Sequence, residues 1–196
     1  MATTGRPRQF VLEEALDRAV AVFWRQGYGA TTLDDLTTAM GINRPSLYNT
    51  FGNKETTFGL AVRRYAETEM AYLADALVLP TARGVAEHYL RGNLLAVTAL
   101  GKPHGCLTVQ GGLAGRTDDQ LRVVELLSDY RSGTEARLAS RFRAAVAQGD
   151  LPRTEQPAEL AKYLFTVATG LAVQASAGTT RRQLKPVVKR ALTAFP

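Results

Sequence analysis

Five side chains between positions 44 and 54 have the chemistry to read a polyanion: Arg44, Ser46, Tyr48, Asn49 and Lys54. All are hydrogen-bond donors, and together they carry little apolar bulk. Such donors suit phosphate oxygens and the base edges of a DNA major groove. A rival chemistry lies further along the chain. Cys106 is the one cysteine, His104 stands two positions before it, and His88 is the only other histidine, so a thiol–imidazole nucleophile can be drawn. Residues two apart on a helix point to different sides, and no orienting acid or second motif accompanies the pair. The same three residues lack the regular spacing of metal ligands. No catalytic residue, metal or cofactor is therefore assigned.

The donors need a frame, and the stretch from Thr32 to Lys54 supplies one. Leu33, Leu36 and Met40 fall on one helical face. Thr32 is placed to cap that helix, and Asp34 and Asp35 sit where the positive end of the helix dipole favours acids. Gly41 then stops it, because a tight turn between helices demands a left-handed residue. Ile42 plugs the angle. Asn43 caps a second helix with Pro45 in its first turn. Leu47 and Phe51, four apart, seat this helix inward and leave Arg44, Ser46, Tyr48 and Asn49 on other faces. Spacing alone also fits an ordinary helical hairpin whose outward residues are polar because outward is wet.

The particular residues resemble the DNA-binding domain of the tetracycline-repressor (TetR) family: a threonine before helix two, Gly41-Ile42 in the turn, a capping residue, a small polar residue, an aliphatic, then Tyr48, Phe51 and Lys54-Glu55. The match covers about the first third of the chain. It implies double-stranded operator DNA as partner, contacted by Thr32, Arg44, Pro45, Ser46, Tyr48, Asn49 and Lys54. Lys54 at a helix start is disfavoured by the dipole, unless a phosphate lies over the free amides there; a solvated lysine beside Glu55 is the alternative. The N-terminal Gly5-Arg6-Pro7-Arg8 resembles the arm of many family members, with Arg6 and Arg8 reaching phosphates or a narrow minor groove. As sequence, the same residues read equally as a solvated tail.

Composition sets weaker bounds. The 196 residues suffice for one domain or a small one plus a larger one, and 45% hydrophobic with 21% charged residues is ordinary for a globular chain. No apolar run has the length of a membrane span, the N-terminus lacks a signal-peptide core, and a single cysteine excludes an intrachain disulfide, so a cytoplasmic protein is expected. Net charge is +6, but residues 1–64 hold eight Lys/Arg against six Asp/Glu, a net +2, and the remainder holds a net +4. Basicity is not concentrated in the DNA-reading part, so the motif must carry that reading.

Along the chain no stretch alternates like a strand, which predicts an all-α protein of about nine helices. Residues 1–52 read as an N-terminal three-helix helix-turn-helix domain with its arm, and residues 53–196 as a larger helical effector-binding and dimerisation domain. The first helix is expected from Phe10 to about Gln26, a long one from Lys54 to about Leu77, another from Thr81 to Leu100. Between Gly101 and Gly115 five glycines disfavour long regular helix. The Gly111-Gly112-x-x-Gly115 grouping is no dinucleotide fingerprint, because no strand precedes it. Helices are then expected over 118–148, with Leu121 among the inward positions, and over 157–177 and 180–194.

Two apolar stripes on the last helices, Leu160, Leu164, Val167 and Leu171, then Leu184, Val188 and Leu192, suit either packing on the body or contact with a second copy. A dimer is favoured, since one short recognition helix reads too few bases and a two-fold pair reads two half-sites. The family resemblance also implies a four-helix dimer contact here. It further implies a cavity for an unidentified small-molecule effector in the body, with Tyr65, Tyr89, Tyr130 and Tyr163 as wall candidates or core aromatics. Gly105-Cys106-Leu107 resembles a subgroup of the family, some of which respond to electrophiles or oxidants, and a thiolate at a helix start near Lys102 and His104 would be reactive; a small buried hydrophobe is the alternative. The function expected is a sequence-specific transcriptional regulator, a repressor released by effector or thiol modification. The alternatives are a helical adaptor and a Cys-dependent enzyme that does not bind DNA.

Overall fold

The computed structural model describes residues 6–110 and 118–196, with side chains described over 12–110 and 120–196. Within these residues the chain is helical: α1 Arg6–Ala30, α2 Leu33–Met40, α3 Arg44–Phe51, α4 Lys54–Thr68, α5 Ala71–Leu77, α6 Ala82–Val97, α7 Leu107–Gln110, α8 Asp118–Gln148, α9 Pro157–Ser176 and α10 Arg181–Thr193. None of the described helices is long and apolar enough to cross a membrane. The side chains of Arg6 and Arg8, and the grouping Gly111, Gly112 and Gly115, lie outside the described residues.

Helix α1 begins earlier than the apolar spacing predicts, at Arg6, so that Pro7 sits in its first turn, where a missing N–H costs little. Its regular part ends where predicted. Gly27 takes φ 75° and ψ 167°, and Tyr28 to Ala30 resume after that kink. The helix lies across α2 and along α4. Phe23 and Tyr28 meet Phe58 of α4 edge-on at ring distances of 4.9 and 5.2 Å, and Trp24 meets Tyr65 at 4.9 Å. These rings are fully or nearly buried, so α1 is the wall on which both the helix-turn-helix and the first body helix are mounted.

The helix predicted from Lys54 to Leu77 is two helices. At its break the Tyr65 carbonyl accepts from both Glu69 N–H at 2.8 Å and Met70 N–H at 3.3 Å, and the wider turn re-aims the chain into α5. In the body α8 lies against α9, and α6 against α5, α9 and α10, around Tyr89, Leu90, Leu127, Phe142 and Leu164. Leu121 is 48% exposed; Val123 and Leu127 set the buried stripe at the start of α8 instead.

The two stripes read as a dimer surface are turned inward. Leu164 and Leu171 of α9 and Leu184, Val188 and Leu192 of α10 are all at most 5% exposed within one protomer, and Leu160 and Val167 are half-buried against the same core. A helix has one best apolar seam, and here it closes the protomer's own body. What α9 and α10 leave outward is smaller and mixed: Tyr163, Gly170, Val173, Gln183 and Val187.

Candidate nucleic-acid interface

Local chemistry fixes each joint of the reading unit. Thr32 and Asp35 form a reciprocal cap: the Asp35 N–H donates to Thr32 Oγ1 at 3.1 Å, and the Thr32 N–H donates to Asp35 Oδ2 at 2.8 Å. That backbone bond, with a second from the Thr32 hydroxyl, holds the Asp35 carboxyl below its ordinary pKa. Gly41 is left-handed at φ 70°, ψ 32°, and its N–H reaches the Thr37 and Thr38 carbonyls. Asn43 Oδ1 accepts from Ser46 N–H at 2.8 Å and starts α3. Leu36, Met40, Leu47 and Phe51 are buried, which clamps α3 against α2 and α4.

With α3 seated by Leu47 and Phe51, its outward residues are Arg44, Pro45, Ser46, Tyr48 and Asn49, all exposed. Tyr48 holds half of its surface in solvent although nothing in the packing requires an aromatic there. Thr32 is exposed at the neighbouring start of α2, so two helix N-termini and four donor side chains share one outward surface. Arg44 is not idle. Its Nη2 and Nε both donate to Asp34 Oδ1, at 2.8 and 3.2 Å.

Lys54, expected to hold a phosphate, places its Nζ 4.4 Å from the centre of the Tyr28 ring. The two border a hollow of about 490 Å³ with Asn53, Glu55, Gln120 and Arg122, and Arg122 pairs with Glu55 at 3.0 Å. Sequence reasoning missed this partner because Tyr28 lies 26 positions away. Lys54 marks the seam between head and body.

The body holds a cavity of about 750 Å³ between α4–α5 and α8, with Phe165 reaching in from α9. Its wall includes Arg63, Glu67 and Met70 on one side and Leu126, Tyr130 and Arg137 on the other. Of the predicted pocket residues only Tyr130 lines it. Tyr163 lies elsewhere, its hydroxyl donating to the Ala191 carbonyl at 3.3 Å. Tyr65, Tyr89 and Cys106 are buried as a packed cluster with Tyr72 beside the cavity, and burial pushes all three phenols well above their ordinary pKa. The Cys106 thiol is 3.1 Å from the Thr108 hydroxyl, and Thr108 itself reaches the cavity wall. Lys102, expected to activate the thiol, is engaged with Glu69 at 2.6 Å. The missed wall residues did leave a trace in the sequence: Arg63 and Glu67, and Asp129, Gly133 and Arg137, recur every four positions on helices that otherwise bury their faces.

A short helix presented by a capped, glycine-turned predecessor on a third helix is the DNA-reading unit of a bacterial regulator, and residues 15–58 match the family model described as bacterial regulatory proteins, tetR family. The chain belongs to the TetR family. It is 37% identical to the TetR family transcriptional regulator CifR over 100% of both chains, with a TM-score of 0.88, in the structure of a cysteine mutant of CifR complexed with 26-base-pair double-strand operator DNA. It is also 28% identical to the HTH-type transcriptional repressor ComR of Escherichia coli strain K12, over 98% of this chain and 92% of ComR. To the repressor BdcR of the same organism it is 29% identical, over 92% of this chain and 86% of BdcR.

Proposed function

We propose that the protein is a homodimeric transcriptional repressor that places α3 of each protomer in the major groove of operator DNA and is released when an effector occupies the body. The observation that carries this reading is the division of labour on α3. Leu47 and Phe51 do all the seating, while Arg44, Ser46, Tyr48 and Asn49 stand exposed beside two helix starts. Side chains free of packing duty on a rigidly held helix are what base and phosphate contacts need. The relatives named above are regulators rather than enzymes, and operator DNA is the recorded partner of CifR.

In this reading residues 1–52 are the reader and residues 53–196 the sensing and pairing body, with α4 shared mechanically by both. Thr32 and Pro45 set the pose of the two helices, and Arg44, Ser46, Tyr48 and Asn49 contact DNA. Pairing uses the outward positions of α9 and α10, around Tyr163, Val173 and Val187, rather than the buried leucines. The cytoplasm is where such an operator is met. The effector is a small molecule in the cavity beside α4.

We further infer from the likeness of Gly105-Cys106-Leu107 to a subgroup of the family that the Cys106 thiol takes part in the switch, a reading supported by Thr108, which joins Cys106 to the cavity that a reactive ligand would enter. Selection of bound sites from random duplex DNA, followed by salt-dependent mobility shifts, tests the reading. Arg44→Ala and Tyr48→Phe should weaken binding, and retention of full affinity by both sinks the assigned surface. Cys106→Ser should abolish any response to an electrophile; an unchanged response removes the thiol from the switch.

A further inference from the structure

The body's surplus positive charge, which the sequence could not locate, is gathered in one place. A groove of about 1030 Å³ runs between α6 and α10, and six of its lining side chains are Lys or Arg while only Glu87 is acidic. Three of the cations are engaged. Arg83 and Arg91 share Glu87 at 3.3 and 3.4 Å, and Arg181 donates to Thr98 Oγ1 at 2.8 Å and to the Thr98 carbonyl at 2.9 Å. The other three, Arg182, Lys185 and Lys189, are exposed on one side of α10, with no hydrogen bond or ion pair among the described residues.

The floor between these cations is apolar. Leu95 is 53% exposed there, beside Leu94, Val188 and Leu192 and the methylene stems of the lysines. Among the described residues no aromatic ring lines the groove, which gives a nucleobase no platform for stacking there. An isolated exposed leucine is ordinary, but one set in a concave surface with unpaired cations along its edge matches a ligand with an apolar chain and an anionic head.

The groove also faces away from the pairing surface proposed above, on which this point rests. At 100° per residue, Arg182, Lys185 and Lys189 cluster on one side of the buried stripe of α10, whereas Gln183, Val187 and Arg190 lie on the other. The latter side adjoins α9, where Tyr163 bonds to Ala191. A second copy seated there leaves the groove open.

We infer that the α6–α10 groove is a second ligand site, separate from the cavity beside α4, and that it takes a soluble single-chain anionic amphiphile. Its carboxylate or phosphate head sits among Arg182, Lys185 and Lys189, and its chain lies on Leu95.

The test uses the full-length dimer and dodecyl phosphate below its micelle concentration, with binding read by calorimetry. Dodecyl phosphate should bind at least tenfold more tightly than inorganic phosphate or dodecyl maltoside, since one lacks the chain and the other the charge. The double variant Lys185→Glu/Lys189→Glu, on an exposed face, should fold with unchanged circular dichroism and lose at least tenfold in affinity. Leu95→Ser should weaken the alkyl probe without altering the response to inorganic phosphate. Wild-type affinity in the double variant overturns the inference, because the probe then sits elsewhere. So does equal binding of inorganic phosphate or of a poly-glutamate peptide, which would mark a purely electrostatic surface. Capture by phosphatidylglycerol vesicles with no affinity for the monomeric probe overturns it also, since the face would then be a membrane contact.

Discussion

The Asp34–Arg44 pair sets up a competition that can be measured. Arg44 reaches back from α3 to Asp34 with two donors on one carboxylate oxygen, yet both side chains are more than half exposed, 57% and 74%. An exposed pair of this kind is worth about 0.2–1 kcal/mol. If operator contact draws Arg44 away from Asp34, each protomer loses that amount, so a dimer loses about 0.4–2 kcal/mol, or a factor of about 2–30 in affinity. Asp34→Asn should therefore tighten operator binding by that factor, measured by fluorescence anisotropy on a selected operator duplex. The salt slope should stay the same, since no phosphate contact is created. Arg44→Ala should weaken binding, and if Arg44 meets a phosphate it should reduce the slope by about 0.9 per head. Asp34 also stands at the start of α2, so Asn there costs about 0.3–1 kcal/mol of stability, checked by urea unfolding. Unchanged or weaker binding by a folded Asp34→Asn protein refutes the competition. A gain that persists in Asp34→Asn/Arg44→Ala assigns the effect to relief of acid–phosphate repulsion and removes Arg44 from the account.

Tyr48→Phe should leave unfolding free energy unchanged, because the ring is half exposed, while costing about 0.5–1.5 kcal/mol of discrimination at one base position if the hydroxyl reads a base edge through a single hydrogen bond; competition with single-base operator variants measures it. Gly41→Ala should cost about 1–2 kcal/mol through its left-handed backbone alone, since an added Cβ would meet nothing closer than Arg18 Nη1 at 3.5 Å. Leu47→Ala, at a fully buried position, should cost about 2–5 kcal/mol in urea titration and weaken DNA binding with it. For Tyr65, Tyr72 and Tyr89 the folded pKa lies above the unfolded value of 10.0, so their contribution to stability is complete below pH 10 and declines as pH rises further. Absorbance at 295 nm should show phenolate appearing early at the exposed tyrosines, with these three ionising only as the protein unfolds.

Local signals were the legible ones. Thr32, Gly41, Asn43, Leu47 and Phe51 each act within four residues, through caps, a turn and a short apolar pair, and each stands where its chemistry predicts. The Gly27 kink and the ends of α8 and α9 were readable for the same reason. Features set at long range were not. Leu164, Leu171, Leu184, Val188 and Leu192 carry the same periodicity whether they meet their own body or a second copy, and only the burial of the protomer separates the two. Lys54 was read against the dipole of its own helix, and its stance over Tyr28, brought near by the α1–α4 packing, was not legible at that range. The cavity was not legible because its wall mixes small and apolar residues such as Ala66, Met70 and Leu126 with arginines and acids, whereas of the tyrosines Tyr65 and Tyr89 are spent on core packing.

One helix connects the cavity to the reader. Near its C-terminal end α4 contributes Arg63, Ala66 and Glu67 to the cavity wall; at its N-terminal end Asn53 and Lys54 adjoin α3 and Tyr28. At the cavity end Arg64 grips α1 through Asp17, with Nε and Nη2 at 2.7 and 3.0 Å from its two oxygens, and lies 3.9 Å from Glu13. Twelve residues separate Lys54 from Ala66, a lever of about 18 Å, so a tilt of about 10° forced by a ligand at one end displaces the other by about 3 Å. That is comparable to the spacing of successive base pairs, enough to spoil the register of two heads on two half-sites. The Arg64 pair transmits the tilt because it fixes α4 to the head side of α1. Arg64→Ala should thus leave operator affinity of the free dimer within about threefold, since the pair is partly exposed, while reducing the loss of affinity caused by an effector. Arg64→Lys, which keeps charge but not the two-pronged grip, should fall between. The measurement is operator affinity with and without saturating effector for all three proteins. Equal coupling in all three would place the hinge elsewhere and leave the Trp24–Tyr65 contact as the element that carries the motion.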